Sequence, residues 1–147
     1  MLCYRPAKKA KILLARSITQ ALDEEEELCG EIVELDGHIR FAGIANSMGK
    51  LLAAKFKPGV KALLTKEEIE DNIIKAVLRM KTREDYEKKL GKTIYTFALY
   101  DKVKRASIAL ERGSYSLLMV SFDVAANHES IILQKILPLL KEHNLIA

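Results

Sequence analysis

Three histidines, His38, His128 and His143, and two cysteines, Cys3 and Cys29, are the side chains of this 147-residue chain best suited to nucleophilic, general-base or metal chemistry. A cysteine nucleophile needs a base beside it in space, and no spacing here couples Cys29 to a histidine. Cys29 falls instead on the apolar face of a predicted helix, where a buried, inert thiol is the expected state. Metal sites commonly draw two ligands separated by two to four residues, a spacing that these five residues lack. His128-Glu129 matches half of a zinc-protease signature, but the second histidine is replaced by Ile132. Glu129 then reads as a carboxylate in the first turn of a helix, where the dipole favours it. Gly43 to Lys50 invites comparison with a phosphate loop, which needs four residues between its glycines and a Ser or Thr after the Lys. Five residues intervene between Gly43 and Gly49, Leu51 follows Lys50, and the loop leads into a strand. The sequence therefore predicts no catalytic, cofactor-binding or metal residue, and no enzyme.

The stronger signal is electrostatic. Arg79, Lys81, Arg83, Lys88, Lys89, Lys92, Lys102, Lys104 and Arg105 face only Glu84, Asp85, Glu87 and Asp101, nine positive charges against four, a local excess of five. Arg79, Arg83, Lys88, Lys89, Lys92, Lys102, Lys104 and Arg105 form the candidate interaction surface. It reads first as solvated surface, and next as suited to an acidic protein partner or the Asp23 to Glu27 block of a second copy. Nucleic acid is the least favoured partner, because Tyr95 and Phe97 read as sheet residues and no base-stacking motif is present.

The elements that must position these residues follow from periodicity. From Pro6, suited to a first helical turn, the chain reads helical to about Leu35, with Ile18, Leu22, Leu28, Cys29, Ile32 and Val33 near one face. Gly30 marks a place where this helix could divide in two. The five acids from Asp23 to Glu27 read as a solvated face. Strands around Ile39 to Ile44 and Leu51 to Phe56 flank the turn Asn46-Ser47-Met48-Gly49, and Pro58-Gly59 ends the second. Thr65 with Glu68 is a capping box for a helix that buries Ile69, Ile73, Ala76, Val77 and Met80. Thr82 with Asp85 repeats the cap chemistry before a stop at Gly91.

Tyr95, Phe97 and Leu99 alternate with Thr96 and Ala98, and Ala106, Ile108 and Leu110 alternate with Arg105 and Ser107, so two hairpin strands are expected about Asp101-Lys102. Tyr115 to Phe122 is apolar at nearly every position, as expected of a central strand covered on both faces. Asn127 caps a last helix bearing Ile131, Ile132, Ile136, Leu139 and Leu140, which Pro138 should kink or end early.

Hydrophobic content of 49% and 30% charged residues, with a net charge of +4 and no Trp, belong to a soluble globular class. A chain of this length removes roughly 70% of its unfolded surface from water without disulfides or metals, and two cysteines are too few for a disulfide framework. No apolar run approaches the roughly 20 residues of a membrane span. No secretory signal appears. The expectation is a cytoplasmic protein with reduced thiols, a basic extension at 1–17 and a single domain at 18–147.

The predicted order is α-β-β-α-β-β-β-α, an α+β fold with one five-stranded antiparallel sheet flanked by helices. This order over about residues 18 to 142, with His38 to Ile44 and Met48 to Leu51 at the first hairpin, resembles the roadblock/LC7 domain within the wider profilin-like group. The stretches Lys89-Leu90-Gly91-Lys92, Tyr100 to Ala106 and Ser121-Phe122-Asp123 resemble a small archaeal family of unknown function, over about Leu35 to Leu140. That second resemblance brings no activity. The first implies edge-to-edge pairing that extends the sheet. The function expected is a non-catalytic regulatory or scaffold domain acting through protein association as a homodimer. The alternative is a small-molecule-sensing domain of the PAS or GAF kind.

Overall fold

The computed structural model describes residues 24–147. Helix α1 covers residues 24–34 of this range. The earlier part of the helix expected from Pro6, and the extension 1–17, lie outside the described residues. Gly30 does not divide α1. Leu28, Cys29, Ile32 and Val33 are buried on either side of it, and this packing outweighs the propensity cost of about 1 kcal/mol. The acidic block is not a uniform water face either. Glu24, Glu26 and Glu27 are exposed, but Glu25 is only 7% exposed and accepts a 2.7 Å hydrogen bond from the Tyr115 hydroxyl. Positions 25, 28/29 and 32 share one helical face, so Glu25 is carried inward with the apolar residues.

Strands β1 (Ile39–Asn46) and β2 (Leu51–Phe56) form the first hairpin. Its turn is closed by the Asn46 side-chain oxygen, which accepts from the Met48 and Lys50 N–H groups at 3.0 Å each. Gly49 takes φ +80°, and a Cβ there would lie 3.2 Å from Ile74 Cα. The turn is thus seated on helix α2 (Lys66–Arg83), where Lys81 Nζ donates to the Ser47 carbonyl at 2.8 Å. The capping box forms as expected: Glu68 N–H donates to Thr65 Oγ1, and Thr65 N–H donates to Glu68 Oε1. Thr82 does not cap a second helix. Its hydroxyl donates to the Arg79 carbonyl at 2.7 Å, the back-bonding open to a helical threonine. A 3-10 turn (Glu84–Tyr86) and short helix α3 (Glu87–Leu90) follow, ending at Gly91.

Strands β3 (Tyr95–Leu99), β4 (Val103–Ala109) and β5 (Tyr115–Asp123) complete one antiparallel sheet in the order β2-β1-β5-β4-β3. The doubly apolar segment from Tyr115 is therefore central. The chain ends in α4 (His128–Ile131), a π-helical turn (Ile132–Ile136) and α5 (Leu137–Glu142). Pro138 does not terminate this helix. Upstream of it the Leu137 N–H donates to the Ile132 carbonyl, five residues back, and the wider turn accommodates the proline ring.

Both faces of the sheet are covered. On one, Cys29, Ile32, Ile44, Ile108, Leu118, Val120, Phe122, Ile132, Ile136 and Leu140 join α1, the sheet and the C-terminal helix in one core. On the other, Phe41, Ala45, Leu117 and Met119 meet Ile73, Ala76 and Val77 of α2. The fold expected from the order of patterns is the fold observed.

Two substitutions test these local arguments. Tyr115→Phe leaves the buried Glu25 carboxylate without its donor and is expected to lower stability by about 1–3 kcal/mol. Gly49→Ala forces a positive φ on a side chain with no free space and is expected to cost at least about 1 kcal/mol. Urea unfolding checks both, through a lower midpoint at unchanged slope.

Candidate functional site

The eight candidate basic residues do not share one surface. Lys104 lies on the same face of β4 as the buried Ala106 and Ile108, and its Nζ donates to the Ala126 carbonyl at 2.7 Å. Lys92 pairs with Glu111 at 2.9 Å, an arrangement that raises the ammonium pKa above its usual value, chiefly through the hydrogen bond. Lys88 and Lys89 project from α3 into solvent, and Lys102 stands in the β3–β4 turn.

Arg79, Arg83 and Arg105 do converge. The first two lie on the C-terminal half of α2. Arg105 rises from β4 on the face opposite Lys104, because successive strand residues alternate. Together with Thr96, Ser107 and Tyr100 they line a recess of about 160 Å³ between α2 and strands β3 and β4. None of the three enters an ion pair with a described carboxylate. Burial presses the Arg105 guanidinium below its ordinary pKa, with Arg79 acting the same way and Tyr100 opposing. It remains a cation at neutral pH.

Beside the recess opens a larger cleft of about 480 Å³. Its walls are Phe41, Phe56, Leu63, Leu64, Ile69, Ile73, Val103 and Met119, with Arg40, Asn72, Tyr100, Asp101, Lys102, Arg105 and Ser121 among the polar lining groups. Arg105, Tyr100, Asn72 and Met119 border both spaces. Leu64 and Ile69 occupy the positions before the N-cap and at the fourth helical residue, where a hydrophobic staple fixes the entry of the chain into a helix. That pattern was legible in the sequence. The meeting of 40–41, 56, 63–73, 100–105 and 119–121 was not, since it depends on tertiary packing. Arg40 is already engaged, with Asp123 at 3.3 Å and the Lys61 carbonyl at 3.2 Å.

The histidines lie apart from one another and from this cleft. His38 faces Asp123 at 3.6 Å and His143 faces Glu31 at 3.4 Å. His128 stacks on Phe97, with ring centroids 3.7 Å apart and planes 4° from parallel. Burial lowers its pKa, helped by the Lys104 charge, so the stacked ring is neutral at pH 7. Among the described residues no three His, Cys, Asp or Glu side chains are grouped to hold a metal. Cys29 is fully buried and free, and its thiol pKa is pushed up to about 12, first by burial and then by Glu25; Cys3 lies outside the described residues. Among those residues no helix is long and apolar enough to cross a membrane.

No protein-family model matches the sequence, and no curated protein does. Solved structures do resemble this one. MglB from Myxococcus xanthus superposes with a TM-score of 0.64 at 13% identity, over 84% of this chain and 86% of that one. An MglB described in a tetrameric arrangement gives 0.62 at 16%, over 82% and 90%. A roadblock/LC7 domain from Streptomyces avermitilis gives 0.60 at 11%, over 82% and 98%. At such identities the likeness concerns the fold, and the fold is that of roadblock/LC7 domains.

The burial of Cys29 has a direct test. In a Cys3→Ser variant, a chromogenic disulfide reagent at pH 8 is expected to detect no thiol in the folded protein and one after denaturation. A thiol that reacts within the mixing time would show the helix face to be open.

Proposed function

We propose that this protein is a non-catalytic regulatory or scaffold domain that works by protein association and pairs with a second copy of itself. The observation that carries this reading is the β3 edge. Tyr95-Thr96-Phe97-Ala98-Leu99 is an edge strand without a single charge, whereas the opposite edge carries Lys55 in β2 and Lys57 just beyond it. Edge strands left in solution are usually guarded by charge, proline or a bulge. An unguarded one is suited to pairing with its own copy, which gives a closed twofold assembly and a continuous sheet.

The surface beside this edge is apolar as well: Ile94, just before β3, and Leu99 at its end are 59% and 67% exposed, groups that a second copy would cover. One structural neighbour, an MglB, is described in a tetrameric arrangement, which supports self-association as a use of this fold.

Light scattering after size exclusion, over a concentration series at low and high salt, tests the proposal. The expected result is a dimer that persists in high salt, because edge-to-edge pairing rests on main-chain hydrogen bonds and apolar contacts, which salt does not screen. Leu99→Lys, which puts a guarding charge on the exposed β3 edge, is expected to give a folded monomer, with unchanged far-ultraviolet circular dichroism. A wild-type monomer at every concentration would overturn the dimer.

A further inference from the structure

We propose that the cleft on the α2 face binds a single-chain amphiphile, its apolar body lying over Phe41, Phe56, Leu64 and Ile73 and its anionic head, a carboxylate or phosphate, meeting Arg105. The size of the cleft, about 480 Å³, lies within the range of small-molecule sites, which pair mostly apolar walls with a few placed polar groups.

The head group is identified by charge. Arg105 borders both the apolar cleft and the recess that holds Arg79 and Arg83. It is half-buried, and no described carboxylate pairs with it. A guanidinium offers five donors in a planar fork that fits carboxylate or phosphate oxygens two at a time. Asp101, the one acid on the cleft wall, lines the cleft alone and not the recess. An anion is therefore directed toward the arginine end. A cationic head would meet three like charges there.

The body is identified by the wall. Phe41 and Phe56 lie side by side at 4.8 Å between ring centroids. Leu63, beside them on the loop before α2, is 56% exposed. Phe56, 36% exposed, and Leu63 leave apolar surface open to water that a hydrocarbon chain would cover, with the buried Phe41 beneath. The occupant is thus a molecule with one apolar chain and one anionic end; the surface that the cleft exposes is mostly apolar, which suits a hydrocarbon better than a nucleotide or a sugar.

Isothermal titration calorimetry on the full chain tests the site, with sodium decanoate and decyl phosphate as probes and decylamine as the control of equal chain length. Saturable binding of decanoate, decyl phosphate or both, with decylamine at least about tenfold weaker, is expected. Which anion binds identifies the head. Arg105→Gln is expected to weaken that binding at least about tenfold. Leu63→Asp, at an exposed position where folding is not at stake, is expected to weaken it as well. Absence of saturable binding by both anions would overturn the proposal. So would decylamine binding as tightly, or a folded Arg105→Gln that binds unchanged. Light scattering on the same samples reads pairing separately, so a monomer that binds decanoate would reject the dimer and keep the site.

Discussion

The structure depends on β5 being apolar on both sides. Leu118, Val120 and Phe122 point into the core beneath α1 and the C-terminal helix, while Leu117 and Met119 point into the core beneath α2. A strand of this kind cannot lie at an edge or against water, since either placement leaves one row of large side chains exposed. It pairs along most of its length with β1 on one side and β4 on the other. Once β5 is central, the two hairpins must add outward from it, and each face needs a helical cover. The three-layer arrangement is therefore a consequence of one strand's composition more than of any helix's propensity.

The cover on the α2 face is narrower than the sheet. α2 packs on Phe41, Ala45, Leu117 and Met119, residues of β1 and β5. The same face of β4 and β3, which carries Arg105, Ser107, Thr96 and Ala98, is left to the recess. Both features assigned a role, the uncharged β3 edge and the cleft with its arginine end, lie where this single helix stops. A second copy and a bound amphiphile would remove different parts of the surface that α2 leaves open, the edge in one case and the cleft in the other.

Much of the fold was legible because its signals are local. The Thr65–Glu68 box, the parity of β3 and the unbroken apolar run of β5 each need only a few adjacent residues to be read. Failures arose where two local rules competed. Glu25 belongs to the inward face by helical period, but the charge run around it suggested water; Tyr115, ninety residues away, supplies its hydrogen bond. Gly30 and Pro138 are weak helical residues that packing and a π-turn accommodate. The candidate surface was legible only in part. Its charges were counted along the sequence, whereas strand parity separates Lys104 from Arg105, and only Arg105 shares a recess with Arg79 and Arg83.

That separation bears on why Arg105 is present at all. Lys104 is accounted for by a carbonyl that it satisfies, Lys92 by a carboxylate and Lys81 by the turn that it holds. Arg105 meets only the Tyr100 hydroxyl and no carboxylate among the described residues. Its strand partners, Ala98 and Ser121, require nothing cationic, and a half-buried guanidinium beside Arg79 lowers stability relative to a small polar residue such as its neighbour Ser107. A group that the fold does not need, and that the fold pays to hold, is best understood through what it would contact from outside the chain. The physical chemistry of its surroundings, positive at one end and apolar at the other, narrows that contact to an anion joined to a hydrocarbon.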